Sequence, residues 1–211
     1  LQIYVDFSGY SDMAIGLGLL FGFVLPENFK RLYSAISITD FWRRWHITLS
    51  RFLRDYLYIP LGGNRNGKFR RYINLLIVMV LGGIWHGAGW TFLIWGALHG
   101  TYLMINHGWH RLKLSADNRL YSLAAWLITF LAVVVAWVFF RAADVNTAFT
   151  MLNGMAGAHG LGSLPIDAFA VPVGLLLFAF VMPNTQQIMN YAPPAGTYGA
   201  YRARALPAVL H

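Results

Sequence analysis

The amino-acid sequence predicts an all-α integral membrane protein with several membrane-spanning helices. Its 211 residues are 57% hydrophobic and only 11% charged, whereas soluble domains carry about 25% charged residues. Two stretches, residues 72–106 and 120–140, contain no Asp, Glu, Lys or Arg, and each is long enough for the roughly 20 residues of a spanning helix. Ten of the sixteen Lys and Arg residues fall in one preceding segment, residues 27–71, as in a cytoplasmic loop.

The net charge and the absence of cysteine limit which binding partners and which catalytic chemistry are possible. The net charge of +8 is concentrated between apolar tracts, which favours the bilayer and its anionic headgroups over nucleic acid. The chain has no cysteine, which excludes disulfides, thiolate metal sites and a Cys nucleophile. It begins with Leu1 inside an apolar segment, so we expect a piece of a longer polypeptide.

The first 25 residues predict a packed membrane helix that ends at Pro26. Its four glycines are spaced so that several share one helix face, with residues 16–22 the best candidate for close packing. Asp6 and Asp12 either lie at the water interface or line a polar cavity, and the sequence does not separate these alternatives.

Within the basic segment, residues 37–58 predict an amphipathic helix in the cytoplasmic interface. Ser37 is a capping residue, and Pro60 with the following glycines ends the helix. His46 falls at the edge of the apolar face, so it is either an interfacial histidine or one directed at a site. The apolar face consists of Phe41, Trp42, Trp45, Leu49, Phe52, Leu53, Tyr56 and Leu57. Residues 61–67 then predict a turn-rich loop that matches no phosphate-binding fingerprint.

Residues 72–106 are predicted to turn near His86, where glycines at 82, 83, 87 and 89 interrupt the apolar tract. Residues 72–85 are too short for a full perpendicular span, so we expect the turn to lie at membrane depth beside a cavity. An intramembrane histidine serves either a site or a structural hydrogen bond, and both remain open for His86. His99 is expected to be a packing and hydrogen-bonding residue, and His107 and His110 to be solvated beside a second cytoplasmic loop, residues 107–119.

In the remainder of the chain, the predicted loops alternate between the cytoplasmic and the outer side of the membrane. Residues 120–140 are the clearest spanning helix, and residues 141–167 suit an outward-facing loop with short helices. Residues 168–182 form a short last apolar run that contains Pro172. We expect a loosely ordered tail or loop over residues 191–211.

Several long motifs resemble the membrane-bound O-acyltransferase family. They are FWRRWHITLS at residues 41–50, RDYLYIPLGGNR at 54–65, GGIWHGA at 82–88 and WGALHG at 95–100. The stretches DFSGYSD at 6–12 and PNTQQI at 183–188 are similar to the bacterial alginate O-acetylation branch. The resemblance covers about residues 1–190, which we interpret as the C-terminal part of such a domain.

The resemblance implies a fold, a location and two site residues. Members form a ring of membrane helices around a tunnel, here in a multi-pass protein of the bacterial inner membrane. His86 corresponds to the catalytic histidine of the family and His46 to its usual companion. Members also carry helices before the position of Leu1, so part of the tunnel wall should be missing and the activity of this piece alone is in doubt.

Acyl transfer from a thioester to a hydroxyl requires a base and donors for the oxyanion. We expect His86 to be the base, with His46, Trp85, Asn64 or backbone N–H groups orienting the substrate or stabilising the oxyanion, and Asp6 as a further substrate-binding candidate. We expect no tightly bound cofactor and no metal, and as donor an acyl thioester, acetyl-CoA or an acyl carrier. The acceptor would be a hydroxyl of an extracytoplasmic polysaccharide, with extracytoplasmic acetyltransferase or modification proteins as partners.

Two other classes fit the same composition. A transporter also places glycine-broken helices and a polar residue near the midplane. A scaffold subunit of an exopolysaccharide machine would need neither histidine. Replacing His46 and His86 separately distinguishes the three classes.

Overall fold

The computed structural model of the chain describes residues 2–112, 118–158, 160, 167–183 and 185–191. Throughout these residues the regular elements are helical and no strand occurs, which confirms the all-α class. The α-helices of this part of the chain are α1 Gln2–Leu20, α2 Ile38–Arg44, α3 Ile47–Phe52, α4 Gly67–His86, α5 Trp90–Arg111, α6 Arg119–Arg141, α7 Val145–Met155, α8 Asp167–Val181 and α9 Thr185–Ile188. The tail predicted over residues 191–211 lies outside the described residues except for Tyr191.

The helix predicted at residues 120–140 is confirmed as α6. Asn118 caps its N-terminus, where the side-chain oxygen accepts a hydrogen bond from the backbone N–H of Tyr121 at 2.7 Å. With a mean hydropathy of 2.5, α6 is the one helix among the described residues that is long and apolar enough to cross a membrane by length and composition alone. The last apolar run is also helical, as α8 with Pro172 inside it.

The central tract forms a helical hairpin of α4 and α5 that turns directly after His86, as predicted. The predicted length of its first arm is wrong, because α4 starts at Gly67 and has 20 residues. At 1.5 Å per residue it is about 30 Å long, enough for the hydrocarbon core. The first turns of α4 carry Lys68, Arg70 and Arg71, whose long side chains can reach headgroups from inside a helix.

The basic segment departs from the single helix predicted over residues 37–58. Ser37 caps α2 as expected, with its Oγ accepting from the Asp40 N–H at 3.1 Å. The helix is then interrupted at His46, which has the left-handed conformation φ 43°, ψ 56°. After α3 the chain continues as a π-helix over Leu53–Tyr58, closed by a 2.9 Å bond from the Ile59 N–H to the carbonyl of Arg54. The predicted glycine loop follows as a series of turns up to Asn66.

An aromatic core lies where α2, α4, α5 and α6 meet. Of the predicted apolar face, the aromatic residues of α2 and its end are buried in this core, and Leu49 and Leu53 are buried in a second, smaller cluster. Phe52 and Tyr56 are instead 53% and 57% exposed, because the π-helix and the break change the direction of the face. The buried members include Phe41, Trp42, Trp45, Met79, Trp95, Leu103, Val133 and Phe139. α1 adds Tyr4 and Phe7, which pack edge-on against Phe29.

The packing predicted for the glycines of the first segment is found at Gly18, where a Cβ would lie 3.1 Å from the side chain of Leu25, but not at the other three. A Cβ at Gly9, Gly16 or Gly22 would meet no other atom within 4 Å, because no helix among the described residues lies against that face. α1 also ends at Leu20, before Pro26, in a turn where Gly22 takes a positive φ of 77°.

Candidate active site

His86 is the last residue of α4, at the turn of the hairpin. The helix ends there because Gly87 is extended, and a side chain at Gly87 would collide with the ring of Phe92. The turn is therefore folded tightly against the first turn of α5, which starts at Trp90.

Two glycines bring the hairpin arms into backbone contact. A Cβ at Gly83 of α4 would overlap the carbonyl oxygen of Phe92, and a Cβ at Gly96 of α5 would overlap that of Met79. Small residues permit such close approach of membrane helices. The close approach fixes the position of His86 relative to Trp95, the residue next to Gly96.

His86 is half-buried in a group of aromatic rings. Its imidazole contacts Trp85, Trp95 and Phe140 at centroid distances of 5.0, 5.3 and 5.2 Å. The Trp95 and Phe140 contacts are edge-on, at 85° and 76°. α4, α5 and α6 each contribute one ring, so three helices position this histidine.

His46 occupies the break between α2 and α3 and is also half-buried. Its Nδ1 lies 3.2 Å from Oδ1 of Asn28, and its ring meets Phe7 edge-on at 4.7 Å. Burial, and secondarily the electrostatic effect of His86, lower the pKa of His46 to about 4 from 6.5. His46 is therefore neutral near pH 7 and able to accept a proton.

Several contacts link the two histidines. The lowered pKa of His46 has an electrostatic effect of His86 as its second cause, after burial. A chain of aromatic rings also joins them: Trp45, adjacent to His46, contacts Trp137 at 4.9 Å, and Trp137 contacts Phe140 at 5.2 Å. Phe140 in turn contacts His86.

His99 is fully buried, as a packing residue would be. Its ring contacts Trp95 at 4.8 Å and Trp42 at 5.1 Å and stacks on Phe41. Neither ring nitrogen has a hydrogen-bond partner among the described residues, so the hydrogen bond expected for His99 is not found there. His107 is half-buried within α5, and its Nδ1 lies 2.7 Å from the carbonyl of Leu103.

The three substrate-binding candidates occupy different places. Trp85 adjoins His86 and is 68% exposed. Asp6 is exposed on α1, where its neighbour Phe7 contacts His46 instead. Asn64 accepts a 2.6 Å hydrogen bond from the hydroxyl of Tyr58 and lines a separate cavity. The structure thus brings Trp85 to His86 but brings neither Asp6 nor Asn64 into the aromatic group around it.

The cavity that contains Asn64 has a volume of about 520 Å³ and lies at the basic ends of α3 and α4. Its cationic and polar lining residues are Arg43, Arg51, Arg54, Arg71, His107, Thr39, Ser50, Tyr58 and Asn64. Trp42 also lines it, 8% exposed and with its indole Nε1 unpartnered within the described part of the chain. Trp42 contacts Trp95 at 5.9 Å, so two indole rings separate this cavity from His86.

Sequence reasoning missed three residues that build this region. Asn28 holds His46, while Trp137 and Phe140 connect the two histidines. Trp137 and Phe140 lie in a uniformly apolar stretch of α6 that offers no signal for singling them out. Asn28 follows Pro26 in a short segment without periodicity.

Comparison with known proteins identifies relatives along most of the chain. A sequence model described as MBOAT, membrane-bound O-acyltransferase family, matches residues 1–147. A peptidoglycan O-acetyltransferase of Helicobacter pylori is 54% identical over 160 residues, 76% of this chain and 30% of the relative. A protein of Azotobacter vinelandii named probable alginate O-acetylase is 48% identical over 208 residues, 97% of this chain and 41% of the relative.

A more distant similarity is to a teichoic acid D-alanyltransferase of Streptococcus thermophilus. It is 34% identical over 119 residues, 53% of this chain and 29% of the relative. The chain thus spans between 29% and 41% of the length of these three curated relatives.

Proposed function

We propose that this chain, which belongs to the membrane-bound O-acyltransferase family, carries the acyl-transfer site of an enzyme that acts on an extracytoplasmic polysaccharide. The transferred group is an acyl group, in our proposal acetyl, moving from a thioester toward a sugar hydroxyl. The names of two relatives, peptidoglycan O-acetyltransferase and alginate O-acetylase, support a polysaccharide acceptor and an acetyl group.

The observation that carries this proposal is the pair formed by His86 and His46. His86 lies in an aromatic group that lowers the local polarity, and the rings of Trp137 and Phe140 connect that group to Trp45, the residue before His46. In such surroundings a neutral imidazole is a suitable general base.

In the proposed reaction His86 alone takes up and returns the proton. Its imidazole takes the proton of the acceptor hydroxyl as the oxygen attacks the thioester carbonyl. The tetrahedral intermediate then breaks its carbon–sulfur bond, and the imidazolium returns the proton to the departing thiolate. The products are an ester and a thiol.

Stabilisation of the oxyanion is assigned to the hairpin turn. The first N–H groups of an α-helix have no partner within the helix, and α5 begins four residues beyond His86. Phe92 of that first turn contacts Phe140 at 5.2 Å, the same ring that contacts His86. His46 and Trp85 are proposed to orient the substrates.

The basic cavity of about 520 Å³ is the proposed entry point of the donor. Acetyl-CoA and acyl carrier proteins both carry phosphate beside the pantetheine arm, and arginine guanidinium groups bind phosphate through paired hydrogen bonds. The arginines of the lining supply such groups. This assigns Asn64 to the donor side rather than to the acyl-transfer centre.

The family assignment and the charge pattern support a multi-pass protein of the bacterial inner membrane. Residues 27–71 would then face the cytoplasm, with the donor, and α7 would face outward, with the acceptor. The ring of helices and its tunnel belong to this proposal, as do partner proteins that carry the acetyl group onward or present the polysaccharide.

Replacement of His86 tests the proposal. In the full-length protein, His86→Ala and His86→Gln should each lower polysaccharide-bound acetyl by a factor of about 10²–10⁴, the usual contribution of a general base. Glutamine retains a hydrogen bond but cannot take up a proton near pH 7. Acetyl content is measured by mass spectrometry of the polymer and protein amount by immunoblot of isolated membranes.

His110→Gln is the matched control, since His110 is exposed near the end of α5. It should leave acetylation unchanged. Near-normal acetylation in His86→Gln, at a normal amount of protein, would overturn the catalytic assignment and favour a transporter or a scaffold.

A further inference from the structure

The side chain of Asn28 makes four polar contacts, three of them at the break between α2 and α3. Its Oδ1 lies 2.9 Å from the hydroxyl of Thr48, 3.2 Å from the Thr48 N–H nitrogen and 3.2 Å from Nδ1 of His46. Its Nδ2 donates to the hydroxyl of Ser11 in α1 at 3.4 Å. One amide therefore joins the histidine to two other parts of the fold.

These contacts fix which way the amide faces. A backbone N–H can only donate, so the Asn28 atom beside the Thr48 nitrogen must be the oxygen. The Thr48 hydroxyl directs its single proton to the same oxygen, because that contact, at 2.9 Å, is shorter than its 3.4 Å approach to His46. The oxygen that faces His46 therefore carries no proton.

The tautomer of His46 follows from this orientation. A carbonyl oxygen can only accept, so a hydrogen bond between it and Nδ1 requires that Nδ1 carry the proton. A deprotonated Nδ1 would set two lone pairs against each other at 3.2 Å. In the neutral ring the free lone pair is then on Nε2.

We propose that Asn28 is a positioning residue that holds His46 in the Nδ1–H tautomer and presents the Nε2 lone pair to the substrates. The inference rests on the proposed acyl transfer for its functional meaning. In this state His46 accepts a hydrogen bond at Nε2, so it orients the acceptor hydroxyl or the departing thiol rather than stabilising an oxyanion.

Backbone hydrogen bonds on both sides of the break hold His46 in position. The Ile47 N–H donates to the carbonyl of Asn28 at 3.0 Å, and the Lys30 N–H donates to the carbonyl of Arg44 at 2.9 Å. These two bonds use polar groups that the interrupted helix leaves free. His46 thus keeps its left-handed conformation because the segment around Asn28 binds the chain on both sides of it.

Two substitutions separate positioning from packing. Asn28→Leu removes the acceptor and should lower acetylation roughly tenfold to a hundredfold, since it leaves the Nδ1–H without a partner. Asn28→Asp keeps acceptor oxygens toward His46 and Thr48 and should retain most of the activity. A packing role predicts the reverse order, because a carboxylate costs more to bury than leucine.

Both variants are made in the full-length protein, with Asn153→Leu on the exposed surface of α7 as the matched control. His86→Gln is assayed in parallel. If His86→Gln abolishes acetylation and Asn28→Leu does not, the positioning role is wrong and the proposed function stands. If His86→Gln is active, the proposed function fails.

A second measurement does not depend on activity or on variants of Asn28. Solid-state NMR of the full-length protein, labelled with ¹⁵N-histidine and reconstituted in lipid, distinguishes protonated from unprotonated ring nitrogens. The His46 signal is identified as the one missing in His46→Gln. A protonated Nδ1 and an unprotonated Nε2 at pH 7 are expected, and the opposite tautomer would refute the inference.

Discussion

The contact between the arms of the α4–α5 hairpin leads to a quantitative prediction at Gly96. In Gly96→Ala the new Cβ would overlap the carbonyl oxygen of Met79 and lie 2.9 Å from the Cα of Val80. Both neighbours are backbone atoms, so no side-chain rotation can relieve the overlap, and α4 and α5 must separate.

The magnitude follows from two opposing effects. Overpacking of a close contact costs about 1–3 kcal/mol, whereas alanine is favoured over glycine inside a helix by about 0.5–1 kcal/mol. We therefore expect Gly96→Ala to lower the free energy of unfolding by about 1 kcal/mol, the difference between the middles of these two ranges. Acetylation should fall as well, because separation of the arms moves Trp95 away from His86.

Thermal unfolding of the purified full-length protein in detergent measures this effect. Gly108→Ala is the control in the same helix, where a Cβ meets no atom within 4 Å, so that variant should melt at or above the wild-type temperature. Equal melting temperatures for the two variants would show that the hairpin arms are not in backbone contact.

Three further predictions concern topology, the donor and pH. Lys68→Cys should react with a membrane-impermeant maleimide only after the inner membrane is opened, whereas Asn146→Cys should react while that membrane is intact. Labelling of Lys68→Cys in intact cells would contradict the proposed topology. Arg71→Gln should raise KM for the thioester donor with kcat retained, and an unchanged KM would remove the basic cavity from donor binding. Folding lowers the pKa of His46 from 6.5 to about 4, so the unfolded state binds a proton at higher pH than the native state. The free energy of unfolding should therefore fall as the pH decreases from 6.5 to about 4. His46→Gln should make this decrease shallower, and an identical pH slope in the variant would contradict the lowered pKa.

Features that depend on local sequence were predicted well. The glycines around His86 end α4 where expected, Ser37 caps α2, and the uncharged stretch after residue 119 forms α6. In each case the determining residues are adjacent in the chain, and glycine, a capping hydroxyl or an unbroken apolar run acts independently of distant contacts.

The break at His46 was not predictable in this way. No glycine or proline lies between Arg44 and Ile47, and the helical pattern continues through them. The interruption is stabilised by the segment around Asn28 and Lys30, which supplies hydrogen bonds to the freed backbone groups from outside the helix. The convergence of His46 and His86 on one site remains a prediction, although the electrostatic effect between them supports it.

The start of α4 was predicted wrongly for a different reason. Counting only uncharged residues placed the beginning of this arm at Tyr72, but the helix includes the cations from Lys68 onward. Hydropathy locates the apolar part of a helix, whereas backbone hydrogen bonding sets its ends. The two differ where long cationic side chains can extend along the helix toward water.

The π-helix over Leu53–Tyr58 determines how many residues the chain needs between α3 and the turns that follow. Hydrogen bonds between residues five apart place Leu53 above Tyr58, and both line the basic cavity. Deleting one residue would restore ordinary α-helical bonding at nearly the same total rotation, because an α-helix turns further per residue than a π-helix, so the residues after the deletion would keep their direction. This segment should therefore tolerate the deletion of one residue better than the insertion of another, which would rotate Tyr58, with its bond to Asn64, away from the cavity.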